Sequence, residues 1–323
     1  MCDFNAAKEE VRALTHGWDE DGLRAVVADS ARGSVRWAVA VQGLTQLLAK
    51  RHRWVEVLDW EDDLIREMGR PSQNGPWGEM WNENQHRRIK ALTEMHRLEE
   101  ALRRAEQFEE EAYRWLLEGM NDEHDHGRRR PEQYPNQAQD WWCLVACMSG
   151  LKNRVGLLDM CGRQNEVEDV LRAARQVPRM SLIINMDPEE PPPGLPDFAP
   201  LRCILLGEVV FVQLNLLVAR AHRLMELPPA DREREADALE REVEVIVRKV
   251  DSGWGIGDYT SLWKREAYWK LAFALRDGGF PERAPAFREK ALEFTEGVCV
   301  CIPSFPHSLC PFFFLFSLGH ELL

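Results

Sequence analysis

Helical periodicity broken by short polar corners is the feature that most restricts what this chain can fold into. It is clearest in QHRRIKALTEMHRLEEALRRAEQF, from Gln85 to Phe108. Ile89 and Leu92, then Leu98, Ala101, Leu102 and Ala105, recur at three- and four-residue intervals on either side of His96, the spacing of two amphipathic helices joined at a corner. Ala101 and Ala105 suit a close helix crossing, where large side chains would hold the backbones apart. The order of helix, polar corner and helix recurs in LKNRVGLLDMCGRQNEVEDVLRAARQ from Leu151 and in YWKLAFALRDGGFPERAPAFREKALEF from Tyr268. A fainter copy, WAVAVQGLTQLLAKRHRWVEVLDWEDDLIREM, begins at Trp37.

Taken in order, residues 1–34 predict short capping helices, with Val11, Leu14 and Trp18 on one apolar side and Leu23, Val26 and Val27 on another. Residues 35–187 predict the main helical array. Within it the turn-rich GRPSQNGPWG and the charged MNDEHDHGRRRPEQYPNQ are expected to be connecting loops. The prolines of 188–200 predict an extended linker and the main internal boundary, because clustered proline excludes a continuing helix. Residues 201–297 predict further helical hairpins. The tail, 298–323, changes abruptly to an apolar, proline-interrupted composition and is expected to be disordered rather than to anchor the chain in a membrane.

A 323-residue chain that is 45% hydrophobic and 29% charged can bury a large core. Its formal charge of -13 works against general attraction to a phosphate backbone, so a nucleic-acid partner is not expected. The N-terminal residues lack the basic flank and apolar core of a secretory signal, and the eight cysteines are scattered rather than framed. Reduced core cysteines and a cytoplasmic or nuclear location follow as expectations.

About five helix pairs with short corners, and small residues early in the second helix, resemble the tetratricopeptide-repeat superfamily, whose unit is about 34 residues long. Ala101 and Ala105 match its two small positions in the central copy, and Ala284 and Ala291 match them in the last, with Gly278 at the corner. Val167 and Leu171 stand at those positions in the Leu151 copy, with Pro178 near its closing position. The resemblance implies an all-α fold of stacked antiparallel helix hairpins, an α-solenoid, and function as a scaffold that presents a groove to a peptide or a partner helix.

No residue set stands out as catalytic, cofactor-binding or metal-binding. His124 and His126 carry metal-capable atoms, but adjacent loop residues rarely converge on an ion without distant ligands. Cys143, Cys147 and Cys161 have hydrophobic neighbours that favour packing over zinc. Gly253, Gly255 and Gly257 lack the lysine and preceding strand of a phosphate loop. The expected partner is therefore a protein or peptide, acidic segments included, met by Arg87, Arg88, Lys90, Lys152 and Arg154 on first helices. A helical hydrolase or transferase with an acidic groove is the alternative.

Overall fold

The computed structural model describes residues 2–69, 77–125, 137–177, 199–251 and 258–294, with Met180 and Ile184. The described residues form twelve α-helices and no strand. In order these are α1 Cys2–His16, α2 Glu20–Asp29, α3 Val35–Lys50, α4 Trp54–Met68, α5 Trp77–Glu94, α6 Leu98–Asp125, α7 Gln137–Met160, α8 Val167–Arg175, α9 Ala199–His222, α10 Pro229–Asp251, α11 Asp258–Asp277 and α12 Ala284–Glu293. The all-α expectation holds. The chain divides within α6 into two compact units, one reaching to Ala105 and the other starting at Glu106.

Five of the corners share one backbone solution. Trp18, His52, His96, Gly162 and Gly279 each take a positive φ, between 56° and 91°, just after a first helix ends. The next amide nitrogen then donates back to a leucine carbonyl five residues earlier: Asp19 to Leu14, Arg53 to Leu48, Arg97 to Leu92, Arg163 to Leu158 and Phe280 to Leu275, at 2.8 to 3.0 Å. The residue at positive φ closes the inner ring, as His52 N does to Ala49 O at 3.1 Å. This double closure satisfies carbonyls that a helix C-terminus otherwise leaves open, and it sends the chain back on itself. In three corners the arginine after the turn also chelates the glutamate three residues on: Arg53 with Glu56, Arg97 with Glu100 and Arg163 with Glu166.

In the first unit, α3 packs on both α1 and α2, and α5 packs on α4 and α3. Leu23, Leu44, Leu47, Leu48 and Val57 are fully enclosed there, and Ser34 caps α3 by accepting from Trp37 N. In the second unit, α9 packs on α7 and α8, and α11 packs on α9 and α10. Ala101, Ala105, Ala284 and Ala291 are all buried, as their small size at crossings predicts. Gly150 permits a further close approach: a Cβ there would stand 2.9 Å from Glu109 Cα.

Three boundaries differ from the sequence reading. The acidic run at Met120–Asp125 continues α6 rather than opening a loop, since glutamate and methionine are good helix formers. Ala199 and Pro200 begin α9 rather than ending a linker, because proline is tolerated in a first helical turn, where its missing N–H has no partner to lose. Trp77 begins α5 instead of sitting in the connector. The remainder of the proline-rich 188–200 stretch, the 126–136 loop, the glycines at 253, 255 and 257 and the 298–323 tail lie outside the described residues.

His96 is exposed and carries its positive φ without glycine's freedom. His96→Val should lower stability by about 1 to 2 kcal/mol, because a β-branched side chain crowds the backbone in this region. His96→Gly should leave stability unchanged or raise it by about 1 kcal/mol. Urea denaturation would measure both, and a glycine variant less stable than the valine variant would remove the corner strain inferred here.

Candidate functional site

In the first unit, α5 is polar in sequence yet enclosed on nearly every side. Asn82, Glu83, Asn84, Gln85, Arg87, Lys90 and Thr93 are all buried. Such a helix is stable only if neighbouring elements bring partners. They come from α3 and α4. Arg87 lies between Glu61 and Glu83, its Nε on Glu61 and its Nη1 3.2 Å from Glu83. Gln42 donates to Glu83, and Asn84 donates to the Glu61 carboxylate and to its backbone carbonyl. Burial opposes charge on Arg87, but the two carboxylates outweigh it and hold the guanidinium above its ordinary value. Arg88 pairs with Asp62. Lys90 is pushed down to about 8 by burial, with Glu94 at 3.9 Å and the Trp54 ring 5.5 Å away as partial compensation.

The second unit joins α7, α9 and α11 through a chain of polar contacts. Lys152 and Glu208, 2% and 0% exposed at the side chain, form an ion pair at 2.7 Å. One turn along α7, Gly156 leaves space for Asn215, whose amide nitrogen donates to the Lys152 carbonyl at 3.1 Å. The Asn215 carbonyl oxygen accepts from Lys270 Nζ at 2.9 Å. Burial lowers the Lys270 ammonium and raises the Glu266 carboxyl, which lies one turn before it on α11. A second level is formed by His222 Nδ1 on Asp159, at 2.7 Å. Arg154 reaches back to α6, where it contacts Glu109 at 3.0 Å and Glu106 at 3.6 Å. Burial nevertheless raises the Glu109 carboxyl, with Arg154 acting against the rise.

The five cations singled out in the sequence are thus each matched to a carboxylate within their own unit. Arg87, Lys90 and Lys152 are buried, Arg88 is nearly so, and Arg154 is half-buried. The sequence reading missed the acids that match them: Glu61, Glu83, Glu109 and Glu208. Only Glu208 carried a visible signal, as a lone carboxylate inside the apolar run ILLGEVVFV.

Cys143 and Cys147 are free and buried in α7, and burial pushes the Cys147 thiol well up. Among the described residues no group of three or more His, Cys, Asp or Glu side chains converges to hold a metal ion. None of the described helices is long and apolar enough to cross a membrane. No family model, curated protein or solved structure matches the chain.

The Lys152 pair can be tested by a double-mutant cycle. Lys152→Met strands Glu208 in an apolar interior and should cost about 3 to 5 kcal/mol, whereas Lys152→Met with Glu208→Leu should recover most of that loss. Chemical denaturation of the three proteins decides it, and additive losses would show that the two groups do not act as a pair.

Asp159 holds the His222 imidazolium above its ordinary value of 6.5, working against burial. The stability this pair contributes is fully present below the unfolded imidazole value. It is lost as the pH rises through the raised folded value. As the pH rises from below 6.5 through the raised folded value, the native chain should therefore lose stability relative to His222→Gln. Parallel denaturation curves across that range would show that the contact carries no proton linkage.

Proposed function

We propose that this protein is an interaction scaffold, a tetratricopeptide-like α-solenoid that offers a surface built by several helices to a peptide or partner helix. The observation that carries the reading is the pattern of helix neighbours. Each of α3, α5, α9 and α11 packs on both helices of the pair before it, contacts that a stack of hairpins requires. The recurring leucine-to-amide corner supports the same reading, since one local reversal used five times makes units of similar geometry.

Such a stack separates two jobs. Buried pairs such as Lys152 with Glu208 set which helices pack together, while half-exposed side chains can vary without disturbing the seam. On α9 and α11 the half-exposed groups outside those inter-helix contacts include Glu266, Trp269 and Phe273. Mixed aromatic and charged character is what partner-binding surfaces favour.

The test is retention of a partner by the immobilised full-length chain from native extract, followed by titration of the purified partner. The intact chain should bind it saturably, and Trp269→Ala with Phe273→Ala should weaken that binding about tenfold, equivalent to about 1.4 kcal/mol. A chain that retains no partner and instead turns over a small substrate would overturn the scaffold reading in favour of the hydrolase or transferase alternative.

A further inference from the structure

The outer side of the second unit carries a groove that the pairing described above leaves open. It lies between α10 and α12, has a volume of about 480 Å³, and is floored by Phe287 and Val245. Phe287 is anchored from below by stacking on Tyr268 at 6.4 Å between ring centroids. Val245 is 40% exposed.

The charges around this floor fall into two sets. The carboxylates are already engaged: Asp237 and Glu240 accept from Arg283, and Glu244 accepts from Lys290 and from the Tyr268 hydroxyl. The two arginines that line the groove, Arg241 and Arg248, engage no carboxylate among the described residues. Arg241 is exposed and has no hydrogen bond or ion pair among the described residues, and Arg248 gives only its Nε, to the Glu244 backbone carbonyl at 3.3 Å. Arg241, Val245 and Arg248 stand at i, i+4 and i+7, one face of the helix, so the two arginine positions bracket the exposed valine about 10.5 Å apart along the axis.

We infer that this groove docks an acidic amphipathic helix of a partner protein, with carboxylates at i and i+7 facing Arg248 and Arg241 and an apolar side chain at i+3 or i+4 seated over Val245 and Phe287. Charge complementarity selects that occupant. Two uncommitted guanidiniums at a helical spacing, with an apolar contact between them, match the same spacing of acid, apolar residue and acid on a second helix. Arginine's fork suits bidentate carboxylate recognition, and the engaged acids on the rim repel the same carboxylates from every other register. The inference rests on the scaffold reading and places one of its contact surfaces on second helices, α10 and α12, rather than on the first helices.

The experiment uses the full-length chain and a labelled 15-residue helical peptide with glutamates seven apart and leucines between them. A second peptide carries lysines in place of the glutamates. Fluorescence anisotropy should show saturable binding of the acidic peptide, at least tenfold tighter than its lysine counterpart and weakening as salt is raised. Arg241→Glu with Arg248→Glu should weaken it at least tenfold, and Val245→Asp should weaken it as well. Arg175→Glu, at an exposed position of α8, should leave it unchanged. These sites are exposed, so the variants should melt like the native chain.

Equal binding of the two peptides, no saturable binding, or an undiminished affinity in the double arginine variant would overturn the inference. So would tighter use of the same arginines by a DNA duplex or by phosphatidylserine vesicles. If the partner retained from extract binds the double arginine variant as well as it binds the native chain, the scaffold stands and this groove is not its contact. If no partner is retained at all, the scaffold reading itself falls.

Discussion

The left-handed corner is the constraint on which the rest of the architecture depends. A helix that ends without it leaves carbonyls unsatisfied and the chain free to continue in many directions. With it, the chain turns back, and three residues separate the α-helices at the Trp18, His52 and His96 corners and six at the Gly162 and Gly279 corners. Leu48, His52 and Arg53 do this between α3 and α4, and Leu92, His96 and Arg97 repeat it between α5 and α6. The glutamate three residues past the arginine adds a bidentate contact at the start of the second helix, where a carboxylate also complements the helix dipole. Hairpin geometry is thus settled locally, before any long-range packing.

What local geometry does not settle is which hairpin meets which, and there the buried polar groups act. An apolar seam of leucines and alanines tolerates sliding by a turn. Arg87 between Glu61 and Glu83 does not, nor does Lys152 on Glu208, because one turn of slippage would leave a charge buried without its partner. The net stabilisation from such pairs is small compared with the loss on breaking them. Their physical effect is on register more than on total stability. Asn215 illustrates the same point with neutral groups: its amide is satisfied only when α7 and α11 lie on either side of α9.

Much of this was legible in the sequence, and the parts that were not share a cause. The three- and four-residue spacing of Ile89, Leu92, Leu98 and Leu102 gave the helices, and Ala101 and Ala105 gave a close crossing, because periodicity and side-chain size are local properties. Arg87 and Lys90 read as surface residues because charged side chains usually are. Nothing near them reveals that Glu61, some twenty-six positions earlier, stands opposite Arg87. Pro200 and the acids after Met120 misled for the opposite reason: composition suggests a break, but position within the helix decides whether proline or a charge is tolerated. The corner signature was present in three copies as leucine, then histidine or glycine four residues on, then arginine, with glutamate three further: Leu48, His52, Arg53 and Glu56; Leu92, His96, Arg97 and Glu100; Leu158, Gly162, Arg163 and Glu166. Its regularity becomes visible only once the backbone shows which leucine carbonyl is being closed.

Net charge is a poor guide to such a protein because pairing removes charges unevenly. The chain has thirteen more acidic than basic side chains, yet its acids are the partners most often consumed at helix contacts. Arg283 alone engages Glu233, Asp237 and Glu240, and Arg220 engages Glu235 and Glu242. Each multiply paired arginine withdraws several carboxylates from the field that a partner meets at short range, where screening over about 8 to 10 Å hides distant charge. What a binding partner reads is therefore the remainder after internal pairing, and at Arg241 and Arg248 that remainder is positive on the surface of an acidic protein.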